Sequence, residues 1–265
     1  MLSQVAINQI FSQAQAIITG DHLVYAKKPD GWYHGYDYVN KDAIYPHVRS
    51  LGLLCKDIAD HFLDHQIEVV VGPTIGAVCL AQWVAHRFLD FQHDVLAVYA
   101  DEEDVLEKTE LRDDELRKKG HVIDLSAAGA VQIELWEHDL RLRRISFSSK
   151  VSTRRVLKRG YDKLVVGKRC LIVEDVINSG ATVAKTIKAV FDAGGIIAGV
   201  GCLCNRSGGK VNVATFGITE LFSLLDLNME MFKEEECPIC KERGVESVRT
   251  DLGKGKEFLA RIGKK

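Results

Sequence analysis

Residues 170 to 182, C-L-I-V-E-D-V-I-N-S-G-A-T, constrain this chain more than any other stretch. The apolar run 170–173 is short enough for a buried strand. Glu174 and Asp175 follow at once, and Asn178, Ser179 and Gly180 make a small polar turn. Residues 182–193 then read as a helix with Val183, Ile187 and Val190 on one face, stopped by Gly194 and Gly195. The order is strand, acidic pair, tight loop, helix.

That order has a chemical use. The loop lies at a helix N-terminus, where unpaired N–H groups and the helix dipole favour a phosphate. Gly180 and Ala181 keep bulk away, and Ser179 and Thr182 add hydroxyl donors. The acidic pair repels a phosphate and suits sugar hydroxyls or a metal-bound sugar beside it. A ribose 5-phosphate fits both halves.

The segment V-E-D-V-I-N-S-G-A-T resembles the phosphoribosyl-pyrophosphate (PRPP) signature of the type I phosphoribosyltransferases. Receiver domains also end strands in acids, but their pair lies near the N-terminus and this one is late. The resemblance implies an α/β fold: a mostly parallel sheet flanked by helices, with an N-terminal hood. It implies that Glu174, Asp175, Val176, Ile177, Asn178, Ser179, Gly180, Ala181 and Thr182 bind PRPP, with Asp175 also a catalytic candidate.

Composition narrows the classes. Hydrophobic residues make up 46% of the 265, charged residues 27%, and the formal net charge is −2. These values suit a globular chain and give no electrostatic footprint for nucleic acid. No apolar run approaches the ~20 residues of a membrane span. The first ten residues lack the basic and apolar regions of a signal peptide. Of seven cysteines, Cys79, Cys170, Cys202 and Cys204 stand in apolar segments and read as reduced, buried thiols, so a cytoplasmic location is expected.

Residues 2–19 have apolar positions at helical spacing, ended by Gly20. Residues 32–47, W-Y-H-G-Y-D-Y-V-N-K-D-A-I-Y-P-H, are rich in aromatics; taken alone they read as a surface hairpin with cross-strand aromatic packing. They are also similar to a segment of the orotate branch of the family, S-G-x-H-S-x-x-Y-x-N-K-D. His34, Tyr38, Asn40, Lys41 and Asp42 match it, while Trp32 and Tyr33 replace Ser-Gly. In the family this segment closes over the base and carries a lysine near the reactants. Lys28, His34, Tyr38, Asn40 and Lys41 are therefore base-binding candidates, and Lys28 and Lys41 both compete for the lysine's role.

Residues 50–65 read as an amphipathic helix, and residues 67–88 as a second strand–loop–helix with a glycine-bounded loop. Gly72, Pro73, Thr74, Ile75 and Gly76 form that loop, which the resemblance assigns to pyrophosphate. Residues 95–99 read as a strand. Residues 101–120 are densely charged and read as a solvated, mobile segment or exposed helix inside an irregular insertion, 101–146. Residues 121–123 and 131–135 within it have strand-like composition.

Residues 141–163 are the most basic stretch and suit a cationic lid over a departing pyrophosphate. The family's mobile loop at this place has an R-K-x-x-K-x-H-G pattern. Arg154, Arg155, Lys158 and Gly160 resemble it, without the histidine. Lys158 is the first candidate for a catalytic, pyrophosphate-binding cation and Arg155 the second.

Residues 196–203, 212–216 and 221–227 have strand composition. Residues 1–235 form the expected phosphoribosyltransferase domain, with 1–48 as helix and hood. Residues 236–265 form a tail carrying C-P-I-C, Cys237 and Cys240, whose basic end, 254–265, is expected to be partly disordered. One C-x-x-C is half of a zinc knuckle, and no second such pair exists.

The resemblance covers roughly residues 30–80 and 147–210. It implies Mg²⁺-dependent phosphoribosyl transfer from PRPP to orotate, with Mg²⁺ held mainly through PRPP, and a homodimer whose lids cross between sites. No nucleic-acid or membrane partner is expected. Another nucleobase as acceptor, or a PRPP-sensing regulator without catalysis, remain the alternatives.

Overall fold

The computed structural model describes residues 1–25, 27, 30–112, 132–135 and 144–263. In chain order these form α1 (Gln4–Gln13), β1 (Ile17–Ile18), β2 (Leu23–Val24), β3 (Tyr33–Gly35), β4 (Tyr38–Val39), α2 (Val48–His61), β5 (Val69–Pro73) and α3 (Gly76–Phe88). Next come β6 (Leu96–Arg112), β7 (Gln132–Leu135), β8 (Arg144–Val156), α4 (Tyr161–Val165), β9 (Arg169–Ile177), α5 (Ala181–Asp192) and β10 (Ile196–Asn205). The chain closes with α6 (Val213–Phe216), β11 (Leu221–Asp226), β12 (Phe232–Lys233), α7 (Pro238–Arg243) and α8 (Gly255–Arg261). It divides into two compact units, Met1–Ala100 with Leu157–Lys265, and Asp101–Val156.

In the first unit the strands run β11-β10-β9-β5-β6, and every neighbouring pair is parallel. Both faces are covered by helices, which is why β5 and the apolar part of β9 read as unbroken runs rather than alternating ones. Successive side chains still point to opposite faces. Val70, Leu171 and Val173 pack with Leu54 and Ile58 of α2 and Leu80 and Val84 of α3. Val69, Val71, Cys170 and Ile172 pack with Val183 and Val190 of α5. Each such side chain stabilises the fold by about 1.5–3 kcal/mol. The expected α/β class and parallel sheet are therefore observed.

A third, smaller core holds the hood. Val24, Val248 and Phe258 are buried together, with Trp32, Val245 and Leu259 packed against them. β3 pairs with β2 on one side and β12 on the other, and β1 pairs with β4. β3 and β4, the two strands within 32–47, thus pair with other segments and not with each other, and the hairpin reading of 32–47 is corrected. The tail is corrected too: residues 237–261 fold onto the hood as α7 and α8. Backbone bonds from Arg249 N–H to the His22 carbonyl (2.8 Å) and from Lys254 N–H to the Val24 carbonyl (2.8 Å) tie them down.

Other expectations shift locally. The first helix ends at Gln13 because Gln15 turns into the left-handed region (φ 52°), which frees Ile17 and Ile18 to pair with Val39 and Tyr38. Residues 213–216 are helical, not extended. Asn212 caps them, and Thr215 returns the bond in a capping box.

In the second unit the charged residues 101–112 are neither helix nor irregular; they continue β6, antiparallel to β8. Glu102 pairs across from Arg155, and Glu103 from Arg154, with an Arg154–Glu103 contact of 2.6 Å. An acidic strand satisfied by a basic strand some fifty residues later looks like two solvated charge runs until the register is known. The basic stretch expected as a lid loop is accordingly strand over Arg144–Val156. The strand expected near 131–135 is present as β7, and residues 121–123 lie outside the described ones. No described helix is long and apolar enough to cross a membrane.

Candidate active site

β5 and β9 are adjacent parallel strands, with Val69, Val70 and Val71 level with Cys170, Leu171 and Ile172. Their C-terminal ends therefore lie side by side, and the two glycine-bearing loops that follow face one space. This is where open parallel sheets take ligands.

The loop after β9 has the expected form. Ile177 ends the strand, Asn178 and Ser179 are exposed, and α5 begins at Ala181. Gly180 occupies the N-cap at φ +75°, a conformation that a side chain disfavours. The first turn of α5 holds no acidic residue, and the N-cap supplies no side-chain acceptor. Ala181 N–H reaches Ser179 Oγ at 3.5 Å, and the following N–H groups of the first turn lie at the positive end of the helix dipole.

The loop after β5 runs through Pro73, Thr74 and Ile75 into α3. The Thr74–Ile75 peptide is cis, Thr74 N–H donates to the Ala100 carbonyl at 2.9 Å, and Ile75 is exposed. Gly72 and Gly76 flank the turn. A Cβ on Gly76 would collide with Asp175 Oδ2 and Lys41 Nζ. Glycine at this point lets the hood, the loop after β5 and the acidic pair converge.

Glu174 and Asp175 are both buried. Glu174 accepts the Asp175 N–H at 3.1 Å, and Asp175 Oδ1 accepts the Val176 N–H at 2.7 Å. Asp175 Oδ2 takes the Lys41 ammonium at 2.6 Å. Burial, and then the charge of Asp175, push the Glu174 carboxyl well above its ordinary pKa. Burial lowers the Lys41 ammonium, but the hydrogen bond and charge of Asp175 outweigh that and leave its pKa raised. The result is a cation held on one acid beside a second acid poised to stay protonated.

Of the two candidate hood lysines, Lys41 is the one seen on Asp175, and Lys28 lies outside the described residues. Asn40 sits just before it, its N–H donating to the Ala16 carbonyl at 2.7 Å, and Tyr38 lies in β4. Tyr45 was missed by the sequence reading. Its hydroxyl donates to the Gly76 carbonyl at 2.5 Å, so the hood clamps the start of α3. The signal available was its place in the same aromatic segment, three residues beyond Asp42.

His34 is corrected. It is fully buried, with its ring edge-on to Phe258 and Nδ1 3.3 Å from Cys240 Sγ. It faces the hood–tail interior and is not presented to a base. Trp32 likewise packs in the hood core, beneath the Arg261 guanidinium. Lys158 is exposed in the turn before α4, its carbonyl accepting the Tyr161 N–H at 3.0 Å. Arg155 belongs to the other compact unit and pairs with Glu102 at 3.2 Å.

No family model matches the chain. Curated relatives do. It is 27% identical over 241 residues to the orotate phosphoribosyltransferase of Caldicellulosiruptor bescii, covering 91% of this chain and 94% of that one. It is 27% identical over 234 residues to the enzyme of the same name from Caldanaerobacter subterraneus, covering 88% and 90%. The orotate phosphoribosyltransferase structure from Mycobacterium tuberculosis aligns with 84% of this chain and 96% of that one, at 17% identity and a TM-score of 0.49. In sequence the chain is similar to phosphoribosyltransferases. Within that group its likeness is to the orotate phosphoribosyltransferases, along nearly their full length.

Proposed function

We propose that this chain transfers the phosphoribosyl group of PRPP to a nucleobase, with orotate as the acceptor. The observation that carries the reading is the convergence of Lys41, Asp175 and Gly76, which joins the hood, the acidic pair and the loop after β5. The 5-phosphate would rest on the N-terminus of α5, cradled by Asn178, Ser179, Gly180, Ala181 and Thr182. Glu174 and Asp175 would take the ribose hydroxyls. Gly72, Pro73, Thr74, Ile75 and Gly76 would receive the pyrophosphate through backbone donors.

Mg²⁺ would be held mainly through the diphosphate and ribose hydroxyls of PRPP, hard oxygen donors of the kind it takes, with Glu174 and Asp175 accepting from those hydroxyls. Bound there, Mg²⁺ supplies charge neutralisation for the leaving pyrophosphate. Lys41 already stands on Asp175. It can pass from that carboxylate to the reactants when the sugar hydroxyls occupy the acid. As the C1–pyrophosphate bond lengthens, the ribose becomes oxocarbenium-like and the base nitrogen attacks from the opposite face. Positioning and fixed charge supply the rate, and no covalent nucleophile is required. Lys158 is the proposed cation for the departing pyrophosphate, with Arg155 second.

The reading rests on the resemblance and on this geometry together. It is tested by pyrophosphate release from PRPP and Mg²⁺ with orotate, uracil, adenine, guanine and hypoxanthine supplied singly. Release with orotate alone is expected. Release with another base would reassign the hood, and PRPP binding without release from any base would make the chain a PRPP-sensing regulator. A homodimer, implied by the resemblance, and a cytoplasmic location, expected from the cysteines, remain proposals.

A further inference from the structure

Four side chains from three separate parts of the sequence meet between hood and tail. His22 precedes β2, His34 lies in β3, and Cys237 and Cys240 cap and begin α7. One donor atom from each lies within 4.8 Å of all the others. His22 Nε2 is 3.0 Å from His34 Nδ1, 3.8 Å from Cys237 Sγ and 3.5 Å from Cys240 Sγ, and His34 Nδ1 is 3.3 Å from Cys240 Sγ. A tetrahedral zinc ion with Zn–N near 2.0–2.1 Å and Zn–S near 2.3 Å needs donor–donor edges of roughly 3.3–3.8 Å. The cluster is already close to that shape.

The surrounding bonds orient the donors. Ser247 Oγ donates its only proton to the Gly244 carbonyl at 2.6 Å, so at 2.7 Å from His22 Nδ1 it can only accept. His22 therefore carries its proton on Nδ1 and turns the Nε2 lone pair into the cluster, the arrangement a metal-bound imidazole requires. The Cys240 N–H points at Cys237 Sγ at 3.4 Å, a bond that favours a thiolate. His22, His34 and Cys237 are each at most 2% exposed. His34 is fully buried, and its Nε2 has no hydrogen-bond partner.

We propose that His22, His34, Cys237 and Cys240 bind one structural Zn²⁺. Two imidazoles and two thiolates fill a tetrahedron and leave no open position, which suits a structural rather than a catalytic ion. Binding releases two thiol protons, so the buried site carries no net charge. The ion would staple the tail to a hood whose own core has only Val24, Val248 and Phe258 among its described buried members. A cluster that small gains most from such a staple. The missing half of the knuckle is the histidine pair, more than two hundred residues before the cysteines.

The test is metal analysis of the full chain with any affinity tag removed. About one zinc per chain is expected. Replacement by Co²⁺ should give tetrahedral ligand-field bands with thiolate-to-cobalt charge transfer. Cys240→Ser and His34→Gln should lose the metal and lower Tm by at least ~5 °C, while Cys79→Ser, exposed on α3, should keep it. Should the ligand variants fail to fold, the wild-type chain decides: a mercurial should release zinc to a chromogenic indicator as thiols are titrated. Metal-free protein with no cobalt spectrum overturns the proposal, as does a native mass two hydrogens light from a Cys237–Cys240 disulfide.

Discussion

Lys41 reaches from the hood to Asp175, Nζ to Oδ2 at 2.6 Å, across the α-carbon of Gly76. Asp175 is buried and Lys41 is partly exposed, so the acid depends on the lysine more than the reverse. Removing the cation as Lys41→Met should lower kcat/KM about a hundredfold, the scale of a charge-assisted bond lost from a desolvated site. Lys41→Arg should not restore it, because a planar guanidinium does not reproduce the point contact that the ammonium makes with Asp175. Steady-state kinetics check both. Unchanged kinetics in Lys41→Met would return the role to Lys28.

Gly76→Ala places a methyl group against both partners of that pair. Gly76 is not in a left-handed conformation, so the backbone accepts alanine and the damage is confined to the contact. Activity should fall at least tenfold with a loss of stability of about 1–3 kcal/mol. Circular dichroism and thermal melts separate this from global unfolding. A fully active variant would show that the pair is not needed in the working state.

The raised pKa of Glu174 sets a direction for pH dependence. Its stabilising contribution is fully present below its unfolded value, about 4.5, and is lost as pH rises through the higher folded value. Glu174→Gln, which mimics the protonated acid, should therefore gain on the wild type as pH rises from acid toward neutrality. Each kcal/mol of difference should appear as roughly 2–4 °C in Tm. A gap that stays constant with pH would sink the argument.

Lys158→Ala should leave Tm within about 1 °C, because the side chain is exposed. Its effect is expected in kcat, at least tenfold, with the affinity for the nucleobase little changed. Arg155→Ala should act less strongly on kcat. Rapid quench of a single turnover would show whether the chemical step is what slows. If Arg155 proves dominant, the order of the two cations reverses.

The sequence by itself determined the frame of the candidate site. An unbroken apolar run before Glu174 and Asp175 can only be a strand covered on both faces. Gly180 before a helical period marks the turn into α5, and Gly72 and Gly76 mark the second loop. These signals are local, carried by neighbours in the chain. Tertiary structure decided what depended on distant partners. It brought Lys41 to Asp175, buried His34 beside Cys240, and paired the acidic residues after Ala100 with the basic strand β8. It also brought two histidines to a C-x-x-C pair that looked incomplete. A short polar residue reads the same in sequence whether it meets a ligand, an ion pair or a metal. The difference lies in what the fold sets within about 4 Å of it.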